Sequence, residues 1–221
     1  MKQSFSIHHQ NMIKRQILPH GLFEEHILEA FEKTPRSLFL PEDKKMEAFV
    51  EDPIFLEGRR VVYKPLSYAF LMQFLPVAKD KNIMIVGGSV GYGAALLSYQ
   101  GSTVFLLESD DRYNQVAQEG CKRAGVENVV LCQGNMRDGL KRQSPFWYIV
   151  MEGSVSSIPV AYFEQLEEGS PGVFAVTHID GQGPCFCRFF QNDKGTIERV
   201  PLFKEIQFEM PEFKEKEKFV F

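Results

Sequence analysis

Apolar and polar positions divide the chain into two unlike halves. From residue 81 onward, short unbroken apolar runs alternate with amphipathic stretches of helical period. Residues 83–86 form a continuous apolar run, the pattern of a strand covered on both faces. The run empties into Gly87-Gly88-Ser89-Val90-Gly91, and residues 92–99 then read as a helix. The alternation continues with a strand over 103–107 ending at Glu108, a helix over 112–124 and a strand over 128–132. It closes with a strand over 148–151, a short helix over 161–166 and a strand over 172–177. This βαβα order implies a doubly wound α/β fold with a mostly parallel sheet. The last part differs: residues 185–190 and 197–202, either side of a polar turn at 191–195, predict a C-terminal β-hairpin.

Up to about Pro76 the chain reads as helices and loops. Leu22, Phe23, Ile27, Leu28 and Phe31 share one helical face, and Thr34-Pro35 ends that helix because proline restricts the residue before it. A second apolar helix, 66–75, opens after Pro65, where proline suits the first turn. No repeat, low-complexity linker or composition shift marks a boundary. The expectation is one domain over 1–221, with a helical N-terminal region (1–76) set against an α/β core (77–221). The mixed-charge stretch 214–218 reads as a solvated edge.

Composition narrows the function classes. The 221 residues are 44% hydrophobic and 24% charged, ordinary globular values, and 25 basic against 29 acidic side chains give a net charge of −4. Such a balance offers no bulk attraction for nucleic acid or anionic lipid. No apolar run is long enough to cross a bilayer, and residues 1–10 lack a secretory pattern, so a cytoplasmic setting is expected. Cys121, Cys132, Cys185 and Cys187 form no CxxC pair, and no metal site is expected. The oligomeric state is not readable.

The glycine-rich turn carries the candidate chemistry. In doubly wound folds such a turn lets the backbone approach a nucleotide-like ligand, and a carboxylate at the tip of the next strand, here Glu108, can hydrogen-bond both ribose hydroxyls. The same glycines also permit tight strand-to-helix packing, and strand ends often carry an acid. The dinucleotide fingerprint fails, because Ser89 and Tyr92 stand where a register begun at Gly87 needs glycine. An NAD-linked oxidoreductase therefore ranks below an adenosyl-ligand protein.

At this point the sequence resembles a known family. Residues 83–97, from Ile83 through Gly87-Gly88-Ser89-Val90-Gly91 to Leu97, resemble the segment VLEIGTGSGYQAAVLA of the protein-L-isoaspartate O-methyltransferases. Thr34-Pro35-Arg36-Ser37-Leu38-Phe39-Leu40-Pro41 is similar to that family's vPRxxFvP, and residues 48–52 to its AYxD. Gly134-Asn135 stands at its Gly-Asp, Ile158-Pro159 at its IP, and residues 169–172 at its GG turn. The resemblance runs from about residue 12 to the end. It implies a Rossmann-like fold of the class I adenosylmethionine-dependent type and methyl transfer to the carboxylate of L-isoaspartyl residues in damaged proteins. It also implies S-adenosyl-L-methionine as cofactor. Gly87, Gly88, Ser89 and Gly91 would line the methionyl and ribose side, Glu108 would hold the ribose hydroxyls, and Asn135 and Met136 would approach the adenine.

The departures raise an alternative. The family's strand acid is Ile85 here, its middle loop glycine is Ser89, and its acid beside the adenine is Asn135. In its TISxP motif, aligned with residues 61–65, the serine that resembles a substrate anchor is Tyr63, which becomes the candidate catalytic residue. The residue after that proline is Leu66, and the acid of its fDxI is Trp147. Two readings remain: an isoaspartyl-type methyltransferase, or a non-catalytic descendant that keeps the fold as a binding or scaffolding module.

Overall fold

A computed structural model describes residues 2–21 and 23–214, with side chains from residue 6 onward. Leu22 and most of the charged stretch 214–218 lie outside the described residues; Lys214 itself is exposed.

The N-terminal region contains α1 (Lys2–Met12), α2 (Glu25–Lys33), the short strands β1 (Ile54–Leu56) and β2 (Arg60–Val62), and α3 (Pro65–Phe74). The core follows as β3 (Ala78–Val86), α4 (Tyr92–Leu97), β4 (Gly101–Glu108), α5 (Asp111–Ala124) and β5 (Val129–Gln133). It ends with β6 (Tyr148–Ser154), α6 (Val160–Phe163), β7 (Gly172–Ile179), β8 (Gly183–Gln191) and β9 (Ile197–Lys204).

Seven strands make one sheet in the order β5-β4-β3-β6-β7-β8-β9. The first five are parallel, and β8 and β9 are antiparallel additions at one edge. The predicted mixed, doubly wound sheet with a C-terminal hairpin is the observed architecture. Strand order reverses at β3, so the crevice beyond the carboxyl ends of β3, β4 and β6 is where such folds bind ligands.

Two apolar clusters fill the two faces. One joins Ile17, Phe31, Phe39 and Leu71 of the N-terminal region to Ile83, Ile85, Val104 and Val150 of the sheet. The other packs Met84, Val86, Ile149 and Met151 against Tyr162 and Phe163 of α6 and against Met210 and Phe213 beyond β9. Alternate residues of β3 thus face opposite clusters, which explains the unbroken apolar run at 83–86.

Two details differ from the pattern-based expectation. The N-terminal region is not purely helical, because β1 and β2 pair antiparallel across a turn in which Gly58 and Arg59 both take positive φ (63° and 58°). Three-residue strands are too short to show a period. β3 begins at Ala78, five residues early, through an irregular pairing with β4 between Ala78 and Asn82. Polar residues 79–82 hid that extension.

Candidate functional site

Backbone pairing brings the candidate residues to one place. Val86, the last residue of β3, is in register with Leu107 of β4 and Met151 of β6, and the Gly87 amide donates to the Leu107 carbonyl at 2.9 Å. The turn closes through the Gly91 amide on the Gly88 carbonyl at 2.8 Å. Gly87 (φ 71°), Ser89 (φ 41°) and Gly91 (φ 81°) are left-handed. At Gly91 a Cβ would stand 2.7 Å from Cβ of Ala117, so that glycine serves the close approach of α5. Glu108 follows directly on the residue that receives the Gly87 amide.

The carboxylate of Glu108 is fully buried and already engaged. Arg60 forks onto it, with Nε to Oε2 at 2.9 Å and Nη2 to Oε1 at 2.8 Å. The amides of Ser109 and Asp110 also donate to Oε1, at 2.8 and 3.1 Å. Arg60 reaches Glu212 with the same Nη2 at 2.8 Å, forming a triad of one cation between two carboxylates. Burial works against the guanidinium charge, but bonds from both carboxylates hold its pKa above the ordinary value. Burial would also raise the Glu212 carboxyl, yet the bonds from Arg60 leave it below the usual range.

The space beside the turn is filled as well. A Cβ built on Gly87 would lie 2.6 Å from the sulfur of Met210 and 3.8 Å from that of Met136. Met210 also abuts Gly153 at the end of β6. Phe213 is buried next to it, edge-on to Tyr162, whose hydroxyl donates to the Met136 carbonyl. Residues 87–91 are all buried.

Other candidates take local roles. Asn135 is exposed; its Oδ1 accepts from the Arg137 amide at 3.1 Å and its amide group donates to Asp138 at 3.0 Å, so it caps a short 3₁₀ turn. Tyr63 is not a free donor facing a substrate. It is buried, donates to the Met151 carbonyl at 3.3 Å and accepts from the Gly153 amide at 2.8 Å, stitching β2 to β6. Burial, with the Glu152 and Glu205 carboxyls nearby, lifts its pKa well above the normal phenol value. Ser89 is buried and its hydroxyl has no hydrogen-bond partner.

Glu152 was not anticipated. It sits on β6 behind the turn, against Gly88 and Gly93, accepting from the Tyr68 hydroxyl at 3.1 Å through one oxygen while the other has no partner. Burial pushes its pKa up to about 8, so it is largely protonated at neutral pH. The available signal was an acid directly after the apolar run 149–151.

Among the described residues no group of His, Cys, Asp and Glu could hold a metal, the four cysteines are free thiols, and no helix is long and apolar enough to cross a membrane. A cavity of about 850 Å³ lies apart from the turn, between α1 and residues 35–38, lined among others by His9, Lys14 and Arg123.

The sheet order, the glycine turn after β3 and the acid at the tip of β4 define the class I adenosylmethionine-dependent methyltransferase fold. A solved protein-L-isoaspartate O-methyltransferase superposes with a TM-score of 0.67 at 21% identity, covering 93% of this chain and 66% of its own length. The model of the protein-L-isoaspartate(D-aspartate) O-methyltransferase family matches residues 7–201. The chain belongs to that family. It is 29% identical over 174 residues to the protein-L-isoaspartate O-methyltransferase of Methanospirillum hungatei, covering 78% of this chain and 80% of the relative. With the Methylorubrum populi enzyme it shares 25% over 203 residues, covering 88% and 94%.

An adenosyl ligand and the side chains described above cannot share the same volume. With both Glu108 oxygens held by Arg60 and Met210 seated against Gly87, this conformation does not fit the cofactor that the family implies.

Proposed function

We infer that this chain is an adenosylmethionine-dependent carboxyl methyltransferase of the isoaspartyl kind, acting on damaged proteins in the cytoplasm, and that the conformation described is its closed form. The observation that carries the reading is the convergence of Gly87, Met136 and Glu108 at the point where strand order reverses, in a chain matching the family over 7–201. The reaction asks little acid–base work of the protein. A carboxylate is already ionised at neutral pH, so the chain has chiefly to position it and exclude water. Tyr63 contributes by fixing the end of β6 through Gly153 rather than by binding substrate directly.

A second reading, a non-catalytic member of the family, is favoured by one specific feature. Arg60 belongs to β2, inside the matched region, and its fork on Glu108 occupies the oxygens a ribose would need. The two readings separate in one assay. The full chain is incubated with methyl-labelled adenosylmethionine and a peptide carrying a single L-isoaspartyl residue, and base-labile methyl ester is counted. Incorporation above that of the aspartyl peptide supports the enzyme; none after prolonged incubation supports the binding module.

A further inference from the structure

Part of what fills the cradle comes from beyond the stretch that matches the family. The family match ends at residue 201, whereas Met210, Glu212 and Phe213 come from residues 205–213, which leave the sheet after β9 and cross the carboxyl ends of β3, β4 and β6. This segment pairs with the main sheet only at an isolated bridge, Glu209 with Ser154 of β6. Its backbone is tied to β6 by two bonds, the Ser154 amide to the Phe208 carbonyl at 2.8 Å and the Met210 amide to the Ser154 carbonyl at 2.9 Å. Three arginines hold it from outside. Arg59 donates to the Glu209 carbonyl and lies over the Phe208 ring, Arg60 grips the Glu212 carboxylate, and Arg137 donates to the Glu212 carbonyl and lies over Phe213.

These attachments form a patch that can open without disturbing the strands. Both bonds to β6 are at one residue. Buried Glu205, whose amide donates to the Pro184 carbonyl of β8 and whose carboxylate accepts from the Ser67 hydroxyl, anchors the start of the segment as its hinge; Ile206 and Phe208 just beyond it are exposed. Local openings of this kind require less free energy than global unfolding. What opening would uncover is specific: Gly87, Gly153, Met136 and one flank of the Arg60–Glu108 pair. A nucleoside-sized ligand reaching that crevice has to compete with Met210 and Phe213 for it.

We propose that residues 205–213 are a self-inhibitory strap, seated in the crevice where an adenosyl ligand would lie and latched by Arg59, Arg60 and Arg137. The proposal rests on the methyltransferase reading above. A ligand that binds only the open form has its apparent affinity reduced by the fraction of molecules that are open. Loosening the latch therefore tightens binding without any new contact to the ligand.

The test uses the full chain and a full-length variant carrying Met210→Ala, Glu212→Ala and Phe213→Ala. Adenosylhomocysteine is titrated by calorimetry, and amide hydrogen exchange at Ser154 and Met210 is followed in the unmodified chain. The expected result is at least tenfold tighter binding by the variant. In the unmodified chain, exchange at both amides should accelerate at least tenfold when the ligand saturates. Equal affinity in both chains, with the two amides still protected at saturation, would overturn the strap and leave the methyltransferase reading standing. No heat from either chain, with fast exchange at Ser154 in the variant, would overturn both. It would mean that Arg60, Tyr63 and Glu152 close the crevice permanently. The exchange measurement needs only the unmodified protein, so the proposal stays open to refutation even where the triple variant folds poorly.

Discussion

Two buried residues beside the turn are held in states their side chains disfavour. Ser89 adopts φ 41° with its hydroxyl buried and unpartnered. A left-handed conformation costs an L-residue about 1–2 kcal/mol, which glycine escapes at the expense of a somewhat freer unfolded chain. Ser89→Gly is therefore expected to stabilise the protein by about 1 kcal/mol, read as a higher urea midpoint with unchanged slope. Glu152 gives a pH signature. Its folded pKa, about 8, lies above the ordinary carboxyl value, so the folded state holds a proton that the unfolded state has released. Its stabilising contribution is complete below the unfolded pKa and is lost as pH rises through about 8. Within that window the slope approaches ~1.4 kcal/mol per pH unit for one proton. Tm should fall between pH 5 and 8 in the unmodified chain, and Glu152→Gln should flatten the profile. A mutant profile as steep as the parent's would assign the slope to other groups, such as Glu51 and Glu205, whose pKa values burial also raises.

At the scale of elements, one arginine organises the approach to the site. Arg36 is fully buried and donates to the carbonyls of Val50, Asp52, Val62 and Tyr63 at 2.8–3.3 Å, which clamps β2 and the entry to α3. Among the described residues no carboxylate bonds to it, and removing it leaves the buried carbonyls of Val62 and Tyr63 without its bonds at about 1–3 kcal/mol each before relaxation. Arg36→Ala is expected to destabilise by at least about 3 kcal/mol and to speed hydrogen exchange first in residues 50–66. How far sequence could reach is plain at this scale. The strands at 83–86, 103–107 and 172–177 are buried on both faces, and their apolar runs disclosed them. The pairing of the glycine turn with Glu108 was legible for a similar reason, since both sit at strand tips whose order the alternation specifies. The partner of Glu108 was not legible, since Arg60 lies 48 positions away, and neither was Glu212, which shares that arginine from 152 positions along the chain. No periodicity encodes such a meeting. Met210 and Phe213 were hidden because residues 205–213 form no strand or long helix.

The triad of Arg60, Glu108 and Glu212 is where the N-terminal region, the parallel core and the strap are joined, so its energetics belong to the molecule as a whole. Taking two carboxylates and a guanidinium out of water is costly, and their mutual attraction offsets this only while all three are present. Removing the shared cation should be the most damaging single change. Arg60→Ala leaves Glu108 fully buried with only the Ser109 and Asp110 amides and no counter-charge, and is expected to cost about 3–5 kcal/mol. Glu212→Ala leaves the Arg60–Glu108 fork intact and removes a carboxylate that is partly open to solvent, so about 1 kcal/mol is expected. If burial rather than pairing sets these values, an apolar pair should recover much of the loss. Arg60→Met with Glu108→Leu should lie within about 1–2 kcal/mol of the parent, well above Arg60→Ala alone. Urea denaturation of the three variants orders them. Arg60→Ala no more damaging than Glu212→Ala would mean that water already reaches Glu108, and that the crevice is more open in solution than the packing of Met210 and Phe213 implies.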